Sequence, residues 1–180
     1  LREQIDQRIR IETELRQTNV FLDSIIENIP DMVFIKEASE LRFVRFNRAG
    51  EELIGHKRED LLGKNDYSFF PKSEADFFVG KDRNTLAGGV LLEIAEESIH
   101  TNKKGVHILH TKKIPILDAH GKPAYLLGIS EDITERIQSE KQLREFSLAM
   151  ENALDGIARM DPQKKILSVN NAFAAMMGYA

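Results

Sequence analysis

The chain contains no cysteine, no tryptophan and only five prolines in 180 residues. Without cysteine it can form no disulfide, thiolate metal site, cysteine nucleophile or thiol-linked cofactor. No apolar run approaches the ~20 residues of a membrane span and no signal peptide opens the chain, so no direct membrane contact is expected and a cytoplasmic location is. Neither charge sign dominates: 25 basic side chains face 29 acidic ones, a formal net charge of −4. That balance gives no broad pull toward nucleic acid. The rest is ordinary globular composition, 42% hydrophobic and 30% charged, in a chain long enough to bury roughly two-thirds of its unfolded surface. It opens at Leu1 and stops at Ala180 in mid-pattern, as expected of a piece of a longer protein whose anchor, if any, lies elsewhere.

Residues 1–29 lack Pro and Gly and are rich in Arg, Glu, Gln, Ile and Leu, which predicts a helix. A heptad reading puts Ile11, Leu15, Leu22, Ile25 and Ile29 on one seam, with polar breaks at Arg8 and Thr18 and with Ile5 and Ile9 off register. Such a stripe needs a partner, either a second copy of the chain in a coiled coil or the domain that follows.

Pro30 ends that helix. Aromatic and β-branched density then predicts strands at 32–36 and 41–46 around a polar turn at 37–40. Asn47 stands where a helix N-cap is needed, and Gly55 where its C-cap is. A second short helix, 58–62, ends at Gly63. A longer one is expected over 73–86, with Ser73 and Asp76 as a capping box and Ala75, Phe78, Val79 and Leu86 near one face. Three strands follow at 91–101, 106–117 and 123–130, joined by turns at Asn102-Lys103-Lys104-Gly105 and Asp118-Ala119-His120-Gly121, an antiparallel meander. Helical pattern returns after Ser130. Asp132 and Glu135 have the spacing of a cap and its N3 carboxylate, and Leu143, Phe146, Met150 and Ala153 continue the apolar seam.

The chain also repeats itself. Glu27-Asn28-Ile29-Pro30-Asp31 resembles Glu151-Asn152-Ala153-Leu154-Asp155, and the stretch from Phe46 to His56 resembles that from Val169 to Tyr179, at an offset of 123–124 residues. The resulting organisation is a helix at 1–29, a globular domain at 30–134, a connecting helix at 135–153 and the start of a second copy at 154–180.

Three stretches are similar to the PAS domains of bacterial signalling proteins. They are Asn47-Arg48-Ala49-Gly50-Glu51-Glu52-Leu53-Ile54-Gly55, Leu62-Gly63-Lys64-Asn65-Asp66-Tyr67-Ser68-Phe69-Phe70-Pro71, and Gly128-Ile129-Ser130-Glu131-Asp132-Ile133-Thr134-Glu135-Arg136, the last resembling the C-terminal PAC motif. The resemblance implies an α+β fold: a five-stranded antiparallel sheet in the order 2-1-5-4-3, helices on one face, and signalling helices at both ends. It further implies a sensory and dimerisation module of a multi-PAS sensor histidine kinase in a two-component system. The same module in a diguanylate cyclase or phosphodiesterase, or a ligand-free spacer, remains an alternative. The implied partners are a second copy through the flanking helices and a kinase domain in the same chain.

No catalytic constellation is present, so the fragment itself is not expected to be an enzyme. Neither the phosphoacceptor histidine context nor a Gly-rich phosphate loop occurs. His107 and His110 fall on opposite faces of one strand, a poor shared metal site even with His100 across the hairpin, and no metal is expected. By resemblance, flavin photochemistry would need the missing cysteine. Haem would need a histidine in the long helix, which has none. Both cofactors are disfavoured, leaving either a filled core or a pocket for a small apolar ligand lined by Phe34, Phe43, Phe69, Phe70, Phe78, Leu109, Leu126 and Ile129. The resemblance assigns signal coupling to Asp132, Ile133, Thr134 and Arg136. Asp132 would accept a charged hydrogen bond from Lys112, Lys113 or Arg136.

Overall fold

A computed structural model of the chain describes residues 2–102 and 104–178. Lys103, Tyr179 and Ala180, which figure in the expected turn and repeat, lie outside the described residues. The chain divides into two compact units, one ending at Ile133 and one beginning at Thr134.

The first unit holds α1 (Arg2–Asn28), β1 (Met32–Glu37), β2 (Phe43–Phe46), α2 (Arg48–Ile54), α3 (Arg58–Leu61), a 3-10 turn (Asp66–Ser68), α4 (Lys72–Gly88), β3 (Leu92–Thr101), β4 (Gly105–Leu117) and β5 (Pro123–Asp132). The strands form one antiparallel sheet in the order β2-β1-β5-β4-β3. Period-2 alternation decides which side chains reach the core. Met32, Phe34 and Lys36 of β1, Leu109, Thr111 and Lys113 of β4, and Leu126 and Ser130 of β5 are all buried.

An aromatic cluster fills one end of this interior. Phe43 meets Phe34 and Phe46 edge-on, with ring centroids 5.9 and 5.4 Å away, the offset geometry aromatic quadrupoles favour. Phe34 lies directly across the ladder from Gly128. A Cβ at Gly128 would stand 2.1 Å from that ring, so only glycine admits it.

Two expectations for this unit fail locally. Leu41 is not in β2; it closes the turn at φ 56° and is buried beside Leu86 and Leu126. The α4 start carries no Ser73–Asp76 capping box. Pro71, with its restricted φ, precedes the helix, and Asp76 instead accepts from Lys72 and the Tyr67 hydroxyl.

Asn47 ties the entry of the domain together. Its Oδ1 accepts from the backbone N–H of Val33 at 2.9 Å and of Gly50 at 3.0 Å, while its Nδ2 donates to the carbonyls of Ile26 and Asp31. One fully buried side chain thus caps α2 and holds the end of α1 against the start of β1.

The second unit contains α5 (Thr134–Glu151), β6 (Ala158–Met160), β7 (Ile166–Val169) and α6 (Asn171–Met176). It repeats the first in its bonding. Asn170 accepts from the N–H of Ile157 and Phe173 and donates to the carbonyls of Met150 and Asp155. The repeated turn has the same left-handed residue, Lys164 at φ 65° matching Leu41.

Asn47→Ala removes a cap and strands buried donors and acceptors. It is expected to destabilise the first unit by about 2–4 kcal/mol, read as a lowered urea midpoint. Asn47→Asp keeps the two accepted bonds and should fall between Ala and wild type.

Candidate functional site

The centre of the first unit is ionic. Lys36 of β1 donates to Asp66 of the 3-10 turn at 2.6 Å and to Asp82 of α4 at 2.7 Å. Lys113 of β4 donates to the other oxygen of Asp82 at 2.6 Å and lies 3.8 Å from Glu97 of β3. The second Glu97 oxygen accepts from Thr111, whose hydroxyl contacts Ser130 of β5 at 2.9 Å. All seven side chains are almost completely buried. The lysines also lie over aromatic faces, Lys36 4.8 Å from the Phe43 centroid and Lys113 5.8 Å from that of Phe78. Such contacts partly replace lost water.

Local sequence explains how each charge reaches the core. Lys36 follows Met32 and Phe34 at strand period, and Lys113 follows Leu109 and Thr111. Asp82 sits midway between Phe78 and Leu86 at helical i±4 spacing, on the buried face of α4. Glu97 is inward because β3 bulges between Ile94 and Glu97, inserting one residue and reversing the alternation.

Burial opposes ionisation of Asp82, but the charges of Lys36 and Lys113 outweigh it and hold the carboxyl below its usual range. Lys36 is likewise opposed by burial, yet Asp82 and Asp66 raise it above the ordinary lysine value. For Asp66 burial prevails over Lys36 and pushes the carboxyl up.

Around these charges the free space amounts to about 30 Å³, room for little more than a water molecule and well short of the ~300–1,000 Å³ of a ligand pocket. Of the residues expected to line a pocket, Phe34, Phe43, Phe70, Phe78 and Leu109 do. Phe69 packs at the edge of the aromatic cluster. Leu126 belongs to a separate cluster with Leu41 and Leu86. Ile129 falls between inward-facing Gly128 and Ser130, so alternation sends it to the opposite face. No local signal marks the ionic residues as inward, because each is buried only once its partners from other elements are beside it.

Both ends of the unit carry polar fastenings. At the entry, Arg58 donates to both oxygens of Glu27 in α1 and to Glu51 in α2. These bonds raise Arg58 well above its ordinary value, and the Arg58 bond lowers Glu27. Arg45 of β2 also pairs with Asp23 of α1. At the exit, Asp132 closes β5 and α5 begins at Thr134, with Ile133 between them. The Asp132 carboxylate meets His107 Nδ1 at 2.7 Å. His107 was not among the partners expected there; Lys113 is engaged in the interior and Lys112 lies 3.8 Å from Glu93. Ile133 is buried, and its N–H donates to the Ile108 carbonyl at 2.9 Å.

Residues 26–138 match the family model of the PAS fold, and residues 142–180 match a second model, of the PAS domain. The chain belongs to the PAS family. Among curated proteins, the oxygen sensor protein DosP of Escherichia coli is 27% identical over 162 residues, covering 89% of the chain and 20% of DosP. Sensor protein FixL of Bradyrhizobium diazoefficiens is 24% identical over 183 residues, covering 97% of the chain and 35% of FixL. The chain therefore spans a fifth to about a third of these relatives. Solved structures agree on the fold. An RNA-binding light-oxygen-voltage receptor aligns with TM-score 0.61 at 17% identity, over 72% of this chain and 37% of the other. The PAS domain of BvgS from Bordetella pertussis aligns at 0.56 and 17%, over 74% and 98%.

Within the first PAS domain the ionic centre takes the place between sheet and helices where the sequence suggested an apolar pocket. At the position of Lys36 the second copy has Met160. No helix of the described residues is long and apolar enough to cross a membrane.

Asp82→Ala leaves two buried ammonium groups short of a partner and is expected to cost about 3–5 kcal/mol, read from denaturant melts. Because the folded-state pKa of Asp82 is lowered, its contribution is present above the unfolded value of about 3.9 and is lost as pH falls through the folded value. Asp82→Asn should remove that part of the acid-induced loss of stability.

Proposed function

We propose that this chain is the sensory and dimerisation module of a signal-transduction protein, passing its signal through the flanking helices to a histidine kinase domain elsewhere in the same protein. The fragment itself performs no catalysis in this reading. The observation that carries it is the exit. A single residue, Ile133, stands between the last hydrogen-bonded residue of β5 and the first turn of α5, and it is buried and bonded to β4. In this reading a shift in the sheet is passed along this short connection to the helix start. At the entry, Asn47 and Arg58 give α1 the same kind of attachment. A coupling free energy of only ~1–3 kcal/mol between two helical arrangements suffices for such a relay.

The partner in this reading is a second copy. Ile11, Leu15, Leu22 and Ile25 of α1 and Leu143 and Phe146 of α5 are all exposed. Pairing of each helix with its counterpart would bury them at seam spacing.

The oxygen sensing after which DosP is named is not carried over. A haem does not fit the residues present: α4 contains no histidine, and the interior leaves about 30 Å³. The same filled interior favours a second reading, in which the domain relays conformational change without a resident small molecule.

Asp132→Ala or Thr134→Ala in the full-length protein should uncouple output while leaving the domain folded, seen as kinase activity that no longer responds to the stimulus alongside an unchanged circular-dichroism melt. Wild-type signalling in both variants would refute the coupling role. Leu22→Lys combined with Ile25→Lys should shift the chain from dimer to monomer in sedimentation equilibrium, and an unaltered mass distribution would remove α1 from the interface.

A further inference from the structure

The ionic centre does not balance. Three carboxylates, Asp66, Asp82 and Glu97, share two ammonium groups, Lys36 and Lys113, and every one of the five is at most 5% exposed. Among the described residues, the elements packed around them add no further charge at the cavity. β2 and α2 contribute Phe43, Phe46 and Ile54, β5 contributes Ser130, and β4 adds the Thr111 hydroxyl. With all five groups ionised, the core would hold one negative charge with no counter-charge. A carboxyl in that position takes up a proton rather than remain charged.

The geometry marks the same shortfall. Asp82 is satisfied on both oxygens, by Lys36 and Lys113. Asp66 receives Lys36. Glu97 Oε1 is buried with no hydrogen-bond partner, and its nearest ammonium, Lys113 Nζ, stands 3.8 Å away, beyond hydrogen-bond reach. The other Glu97 oxygen ends a hydroxyl chain through Thr111 to Ser130. Ser130 lies on β5, two residues before Asp132 and three before Ile133.

We propose that this cluster is a buried proton-binding site, holding one proton on its carboxylates at neutral pH, and that the Glu97–Thr111–Ser130 chain reports its occupancy to the exit strand. The proton belongs to the cluster as a unit, since the carboxylates share their lysines. Its release would reorganise the hydroxyl chain, because Thr111 has a single proton to donate between two oxygens. The inference goes beyond the sensory reading and holds whether or not the domain reports to a kinase.

The experiment uses the full 180-residue chain, labelled with carbon-13 at Asp and Glu carboxyls and followed by nuclear magnetic resonance and infrared spectroscopy from acid to alkaline pH. Wild type should show one neutral carboxyl at neutral pH. Glu97→Gln and Asp66→Asn should each abolish that signal, because either leaves two carboxylates for two lysines. A merely structural role for either residue would not make both substitutions act alike. The Ser130 amide resonance should titrate with the same midpoint as the neutral carboxyl.

Unfolding of wild type should release one more proton than unfolding of either variant. The wild-type unfolding constant therefore rises tenfold per pH unit relative to the variants, from about pH 4, where unfolded carboxyls ionise, up to the titration midpoint of the cluster. Three ionised carboxyls in wild type at neutral pH, or a wild-type to variant ratio flat with pH, would overturn the proposal. If neither variant folds, the neutral-carboxyl signal in wild type decides alone.

Discussion

Two lysines buried among phenylalanines constrain everything else in the first PAS domain. An ammonium ion removed from water is tolerated only where carboxylates and aromatic faces replace the hydration it has lost. Lys36 and Lys113 come from strands separated in the sheet by β5, and the carboxylates that meet them come from the 3-10 turn, α4 and β3. One side chain, Asp82, bridges both lysines. The helix carrying it is thereby fixed against the sheet by direction-specific bonds as well as by apolar contact. A purely hydrophobic interior would let α4 slide with little loss; this one requires a single register.

That interior also changes what the module can sense. A cavity of about 30 Å³ edged by ammonium and carboxylate groups is a different chemical environment from an apolar receptor pocket. Its polar side leads through Thr111 and Ser130 toward the end of β5, which is also where His107 meets Asp132. Charge in the core and charge at the exit therefore bear on one strand. The entry is held by a different set, Asn47 and Arg58, which bind α1 through its last carbonyls and through Glu27. The Asn47 pattern recurs at Asn170, so this entry joint is common to both copies.

Much of the architecture was legible from residue order alone. Helix-forming composition, Pro30, Asn47 with Gly55, and the two glycine turns of the meander are local signals, and local signals survive in any tertiary context. The repeat was legible for the same reason. Asn47 and Asn170 recur because one side chain with two acceptor and two donor sites can satisfy that joint. Of the candidate pocket, five of eight residues line the cavity: Phe34, Phe43 and Leu109 at inward positions of their strands, Phe78 on the buried face of α4 and Phe70 just ahead of that helix. Ile129 failed because the phase of β5 depends on which neighbours it pairs with, and Leu126 because two apolar clusters cannot be told apart along a sequence.

Composition, turn chemistry and apolar periodicity by themselves determined two short strands, a run of helices and a three-stranded meander between bracketing helices, because each of those signals acts within a few residues; the PAS sheet and its strand order rested on motif resemblance. Only the tertiary structure decided that its centre is charged. Lys36, Asp66, Asp82, Glu97 and Lys113 span residues 36–113, and none reads as buried until the others are beside it. The β3 bulge that turns Glu97 rather than Glu96 inward is set by pairing with β4. A charge enters a protein core only in company, and that company is assembled by the fold.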